Sequence, residues 1–405
     1  MQIIESLGHA LFMAWSMWWD ILWPLVLGFT LSGIIQAVVS HQSMAKALGG
    51  DSPKNLTLAT LFGIASSSCS YAAVALARSI FQKGASFVSA MAFELASTNL
   101  VIELGTILVV LMGWPFMAAE YLGGILMVIF LAVLFRLALT PRLVQRAKEQ
   151  AEQGRQGRME GHAAMDMSVS GGSVRQKLFS GKGLTAVSHY FVMDWASVWL
   201  DIALGLLIAG SLAAWVPEAF WRTFFLANNP TWATIEGPLV GPLVAMISFV
   251  CSVGNVPLAA VLWRGGISFG GVVSFIFADL IIVPILDIYR KYYGWKVMGF
   301  ILVTFYLTMA AAGYAVEFLF AALGIIPQNR NVAAITAGMQ WNYTTILNIL
   351  FLIFAAVLVI RFLQTGGPAM LRMMNQKAGE MRHHEMHEHG EEPHQMPHHE
   401  GGTEL

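Results

Sequence analysis

Two stretches decide the reading of this chain: "GIASSSCSYAAVALARSIFQKGASF" at 63–87 and "SFVCSVGNVPLAAVLWRGGISF" at 248–269. Each lies in a run apolar enough for a membrane. Yet the first sets Ser66, Ser67, Ser68 and Ser70 around Cys69, and the second sets Ser252 and Asn255 beside Cys251. No other cysteine occurs in the chain. Polar side chains in hydrocarbon are costly unless they meet protein, water or a solute. The plainer alternative is close helix packing by small residues, with serine hydroxyls bonded to the preceding turn.

The two stretches align without a gap at an offset of 182. Cys69-Ser70 falls on Cys251-Ser252, Gly84 on Gly266, and Ser86-Phe87 on Ser268-Phe269. The register continues through Phe93 on Phe275, Ala96 on Ala278 and Ser97 on Asp279. We read each half as one copy of an ancestral helical bundle. Helical repeats with discontinuous helices at their interface are the common plan of secondary transporters, with the solute site near the midplane. Gly254 and Pro257 are expected to weaken the helix of the second copy.

Composition agrees. The chain has 405 residues, 57% hydrophobic and 12% charged, with a mean hydropathy of +0.64. Soluble domains carry about 25% charged residues, so lipid is the natural solvent for this chain. A net charge of −1 offers nothing to nucleic acid, and two cysteines make no disulfide framework. No phosphate-binding G-x-x-x-x-G-K-[ST] pattern occurs. The apolar N-terminus has no basic leader and reads as a retained first membrane segment.

Apolar segments fall at 11–40, 57–80, 85–113, 116–139, 187–212, 233–262, 267–288, 295–323 and 340–363. The expected fold is therefore an all-α polytopic integral membrane protein. It has two homologous helical repeats, with broken or re-entrant helices at their interface. We divide it into membrane repeat 1 (1–140), a polar, mobile cytoplasmic linker (141–186), membrane repeat 2 (187–364) and a disordered His/Met-rich tail (365–405). Basic residues place the linker in the cytoplasm and, more weakly, the tail. The segments between them are odd in number. So the tail is external, or a short segment near 213–228 crosses, or one segment does not cross. The reading we favour is a re-entrant segment beside Cys251.

The pattern Cys251-Ser252-x-Gly254-x-x-Pro257, then a Leu/Ala-rich helix, Gly266 and Ser268-Phe269, resembles the predicted permeases related to the organoarsenical efflux permeases. Cys69-Ser70 carries a shortened copy, with Tyr71 where many relatives have a second cysteine. The resemblance covers both membrane halves and implies efflux of an arsenical-like solute. Thiolate chemistry points the same way, since sulfur prefers soft cations and metalloids. Cys69 and Cys251 are thus candidate soft-ion ligands, with serine oxygens and Asn255 completing the set. The alternative for each is a small apolar filler.

Glu94, Glu103, Asp279 and Asp287 are acidic residues within membrane segments. Glu94 and Asp279 are the candidates for proton coupling or cation attraction, and Ser97, Thr98 and Asn99 line the pathway opposite Asp279. Asp287, followed by Arg290 and Lys291, reads as an interfacial ion-pair member, and Glu103 as interfacial as well. Lys83 and Arg264 are expected to snorkel, and Asp20 and Asp201 to cap segment starts. In the tail, His383, His384, His387 and His389 are weak metal-ligand candidates beside Met381 and Met386.

The expected function is a secondary permease exporting a soft metal or metalloid species across a bacterial-type inner membrane by alternating access. It needs no cofactor, and its partners are the bilayer, a small inorganic or organometalloid solute and, possible from the sequence, further copies of itself. The alternatives are a membrane subunit of a multi-component transporter, or a permease for a small organic or anionic solute. An enzyme is not expected, because a cysteine nucleophile needs a base that these segments lack.

Overall fold

Ser52 and Pro53 start the helix that carries the first decisive stretch. Ser52 Oγ accepts the Asn55 N–H at 3.3 Å, and Pro53 occupies the first turn, where its missing N–H costs nothing. The structure, a computed structural model, describes residues 2–38, 47–68, 70–152, 169, 174–248, 252–330 and 343–375. Those residues form helices and turns, with no strand among them.

In chain order the helices of the first half are α1 (Gln2–Val38), α2 (Pro53–Ser66), α3 (Ser70–Gln82), α4 (Phe87–Asn99), α5 (Ile102–Leu111) and α6 (Trp114–Ala138). Then come α7 (Pro141–Glu152) and α8 (Val174–Phe179). The second half has α9 (Gly181–Trp215), α10 (Glu218–Phe224), α11 (Pro230–Ser248), α12 (Ser252–Gly265) and α13 (Phe269–Phe277). A 3₁₀ turn (Ala278–Ile281) leads to α14 (Val283–Tyr293), α15 (Trp295–Leu323), α16 (Tyr343–Gln364) and α17 (Gly367–Asn375). Five stretches are long and apolar enough to cross a membrane: Glu5–Val38, Phe87–Leu111, Trp114–Ala138, Trp295–Leu323 and Thr344–Gln364. Phe269–Ile281 and Val283–Tyr293, bent by 41°, make a sixth when taken together.

The segment at 57–80 does not run straight through. Ser86 and Ser89 donate to the Gly50 carbonyl at 3.2 and 2.8 Å, so α2 and α4 begin at the same level. They then run parallel. A Cβ on Gly63 would lie 2.5 Å from the Phe93 carbonyl oxygen, so only glycine allows this approach. Helix α2 ends at Ser67, held in the left-handed region at φ 43°. The Ser68 N–H donates to the Ser97 carbonyl at 3.0 Å. Helix α3 then runs back to Gly84, whose φ of +110° makes the turn into α4. The result is a helical hairpin that enters and leaves at one end of the bundle.

The described residues on either side of 249–251 in the second half are arranged alike. Helix α11 packs against α13, with Gly241 against Gly271, Ser274 and Phe275. Helix α12 returns to Gly266, at φ +112°. Ser86 and Ser268 both cap the following helix through their hydroxyls. Helix α6 is the ruler between the hairpins. Its Phe135 stacks on Phe87 at 5.9 Å, beside the first turn. Its Phe116 meets Phe269 at 4.8 Å and Trp263 at 5.2 Å, beside the second. At 1.5 Å per residue these contacts are about 28 Å apart along the axis. The hairpins therefore enter from opposite ends.

Several expectations change. In the second half α11 ends at Ser248, and α12 begins at Ser252 and continues through Gly254 and Pro257. Asp20 and Asp201 lie inside α1 and α9, not at segment starts, because both helices begin earlier than the apolar runs. Part of the expected mobile linker is helical and packed: the Ala151 carbonyl on α7 accepts from Arg78 at 2.7 Å. Helix α9 lies antiparallel along α1, with Gly210 against Ala10 and Ala14, and Gly33 against Val187 and Tyr190. At the end of α16, Arg361 donates to the Gly181 carbonyl at 2.6 Å, which places it beside the start of α9. Cys69, Cys251, His383, His384, His387 and His389 lie outside the described residues.

Candidate functional site at the hairpin tips

The serine run forms the tip of the first hairpin. Left-handed backbone at Ser67 is costly for a residue with a Cβ, of order 1–3 kcal/mol. The reversal is held by hydrogen bonds that a straight helix lacks. Ser67 Oγ donates to Glu103 Oε1, and the Ser66 and Ser68 hydroxyls are 2.7 Å apart. Ser32 Oγ reaches the Ser66 carbonyl at 3.1 Å from α1. Glu103 is thus buried within the site and is not interfacial. Gly28 makes room for it, since a Cβ there would lie 2.2 Å from Glu103 Cβ.

Ser70, the first residue of α3, donates to Asp279 Oδ2 at 2.6 Å. This bond joins the first hairpin to the 3₁₀ turn between α13 and α14 in the second half. The two residues paired by the repeat, Ser97 and Asp279, therefore both touch the first tip, one by its carbonyl and one by its carboxylate. Glu94 accepts from the Tyr289 hydroxyl on α14 and is an electrostatic neighbour of Asp279. Both carboxylates are 0% exposed, and each keeps one oxygen without a hydrogen-bond partner among the described residues.

The other pathway candidates divide. Ser97, Thr98 and Asn99 are buried. The Ser97 and Thr98 hydroxyls bond back to the Glu94 and Leu95 carbonyls at 2.9 and 3.3 Å, as the packing alternative expects. Asn99 donates to Leu95, and its Oδ1 has no partner among the described residues. Asn255 is buried beside Ser248, its Nδ2 also has no partner among the described residues, and Ser252 opens α12. Asp287 pairs with Arg290 and Lys291, each at 2.6 Å, as read from the sequence. Among the described residues no three His, Cys, Asp or Glu side chains gather closely enough for a metal ion. A groove of about 1040 Å³ between α2 and α6 is lined by Leu56, Thr60, Ile64, Ile129 and Arg136, and none of the tip carboxylates reaches it.

The arrangement holds a cluster of buried polar groups inside an apolar bundle, with the tip of the first hairpin against it. A family model described as "Predicted permease", ArsP_1, matches residues 6–318. The chain belongs to this permease family. A Mycobacterium tuberculosis protein named "Putative permease Rv2963" is 58% identical over 338 residues, covering 83% of each chain. This permease is a multi-pass integral membrane protein, and its bacterial relative supports the inner membrane as its location.

The sequence reading of this permease missed one partner of the site, Tyr289, and one buried carboxylate near it, Glu120. Tyr289 lies in a segment read only for its charges. Glu120 is a lone carboxylate in the apolar run of α6, and its isolation in the sequence is the signal that was available.

Proposed function

We propose that this protein is a secondary permease that exports a soft metal or metalloid species by alternating access between its two hairpins. The observation that carries the reading is the Ser70–Asp279 bond, which ties the tip of the first hairpin to the broken helix that follows the second. The halves are taken as homologous repeats in inverted orientation. The traverses are α1, α4–α5, α6, α9, α13–α14, α15 and α16, and the hairpins α2–α3 and α11–α12 are re-entrant. Linker and tail then share the cytoplasmic side. Cys69 directly precedes Ser70, and Cys251 directly precedes Ser252, so each thiol belongs to a tip sequence. One sulfur from each half suits a soft solute, with Ser66, Ser67, Ser68, Ser70, Ser252 and Asn255 as the polar surround. Rocking one half against the other exposes the centre first at the base of one hairpin and then at the other. Glu94 and Asp279 couple that motion to a cation.

Uptake into inside-out vesicles tests the reading. The panel is trivalent arsenicals, antimonite, Cu(I), Zn(II) and Ni(II). Wild type is run beside Cys69→Ala, Cys251→Ala and a chain ending at Met381. Accumulation of one soft species, lost in either cysteine variant and kept in the shortened chain, is the expected result. Accumulation that survives both cysteine changes moves the solute class to small organic or anionic species. No accumulation without an added nucleotide and cytosolic fraction favours a subunit of a larger transporter.

A further inference from the structure

Glu120 is used by neither hairpin tip nor the Glu94–Asp279 pair. It is 0% exposed, and neither carboxylate oxygen has a hydrogen-bond partner among the described residues. Its electrostatic neighbours are Asp279 and Tyr121. Helix α6 packs against α4, α5, α13 and α15. The titratable groups on those elements are Glu94, Glu103, Glu317, Tyr306, Tyr314 and Lys296, and α13 has none. Lys296 lies in the first turn of α15, near Phe300, which meets Phe135 at the far end of α6. Arg136, on α6 itself, is about 24 Å from Glu120 along the axis. Glu317 is held by the Gly270 N–H, and Arg78 lies over Tyr292 at 4.3 Å. No described cation neutralises Glu120.

An ionised carboxylate with no donor, water or counter-charge is far costlier in such a place than the neutral acid. Glu94 and Asp279 differ, because the Tyr289 and Ser70 hydroxyls donate to them and favour the charged form. The three carboxylates do not gather around one point as a metal site requires, so a proton is the ligand that fits. We propose that Glu120 is a proton-binding site, holding a proton while the first hairpin tip is bonded to Asp279 and releasing it when that contact opens and water reaches α6. The step moves one proton between a carboxylic acid and water, with no redox change. It deepens the permease reading and rests on it only for the link to transport.

Infrared difference spectroscopy on the full chain in lipid vesicles at neutral pH tests it without any solute. Wild type is expected to show a protonated-carboxyl C=O band that shifts in deuterated water. The band should disappear in Glu120→Gln, move in Glu120→Asp and persist in Glu94→Gln. A band unchanged in both Glu120 variants, or absent from wild type, overturns the proposal. If Glu120→Gln does not fold, the shift in Glu120→Asp decides alone. A pH-sensitive dye inside the vesicles then reads proton movement with the transported solute. That movement should be lost in Glu120→Gln. If the band assignment holds and no solute moves protons, the permease coupling fails while the proton site stands.

Discussion

Replacing Ser70 by alanine cuts the one described side-chain hydrogen bond that ties the first hairpin to Asp279. The bond is 2.6 Å long and fully buried. Asp279 then keeps its backbone partners, but Oδ2 loses its hydroxyl and Oδ1 already has none. Leaving a buried acceptor unsatisfied costs about 1–3 kcal/mol. The single change is not diagnostic, because a cavity or a shifted helix costs as much. A double-mutant cycle of Ser70→Ala with Asp279→Ala isolates the pair. If Asp279 accepts as a carboxylate, the coupling energy should be about 1.5–3 kcal/mol, and if it is a neutral acid, about 0.5–1.5 kcal/mol. The assay is reversible unfolding in mixed micelles of dodecylsulfate and a mild detergent, followed by circular dichroism. Ser70→Ala with Asp287→Ala is the control, since Asp287 is part-exposed and paired elsewhere. It should couple by less than about 0.5 kcal/mol. A Ser70–Asp279 coupling no larger than the control would refute the claim that the first hairpin is joined to the second half there.

Other consequences follow from the same contacts. Gly63→Leu should force α2 away from α4 and cost at least about 1–3 kcal/mol, read as a lower thermal midpoint in detergent. Gly84→Ala and Gly266→Ala both meet positive φ, of order 1–3 kcal/mol each. Gly266→Ala should be the worse, because its Cβ would also lie 2.7 Å from Ala227 Cβ, whereas Gly84 faces open space. Tyr289→Phe removes the donor to buried Glu94 and should destabilise by about 1–3 kcal/mol. Tyr293→Phe removes a buried hydroxyl with no described partner and should be neutral or stabilising. Equal effects at the two tyrosines would count against the Glu94 contact.

Much of this was legible in the sequence, and the reasons are physical. Four serines in a membrane-grade run are costly in lipid, so buried partners for them were expected, whereas the reversal at 66–70 was not, because the favoured re-entrant segment lay beside Cys251. The offset alignment brought Ser97 and Asp279 together as equivalents, and both do touch the first tip. The orientation of the hairpins was harder, because a repeat in sequence has no direction in the membrane. Orientation depends on how many helices traverse between the copies, and the odd number of apolar segments between linker and tail left that count open. Glu103 read as interfacial from its sequence neighbours, and only Gly28 on α1, distant in sequence, makes its burial possible. Asp20 and Asp201 read as caps because apolar runs mark the oily part of a helix and not its ends.

The account depends most on the hairpin bases facing opposite sides of the membrane. Lys83 and Arg264 stand at the two turns, and both are exposed. In a chain carrying Cys69→Ala and Cys251→Ala, Lys83→Cys or Arg264→Cys supplies a single thiol. Intact cells are treated with a membrane-impermeant maleimide before and after permeabilisation. Arg264→Cys should label in intact cells, and Lys83→Cys only once the membrane is opened. Labelling of both positions from the same side would contradict the opposed hairpins, and with them the site at their tips.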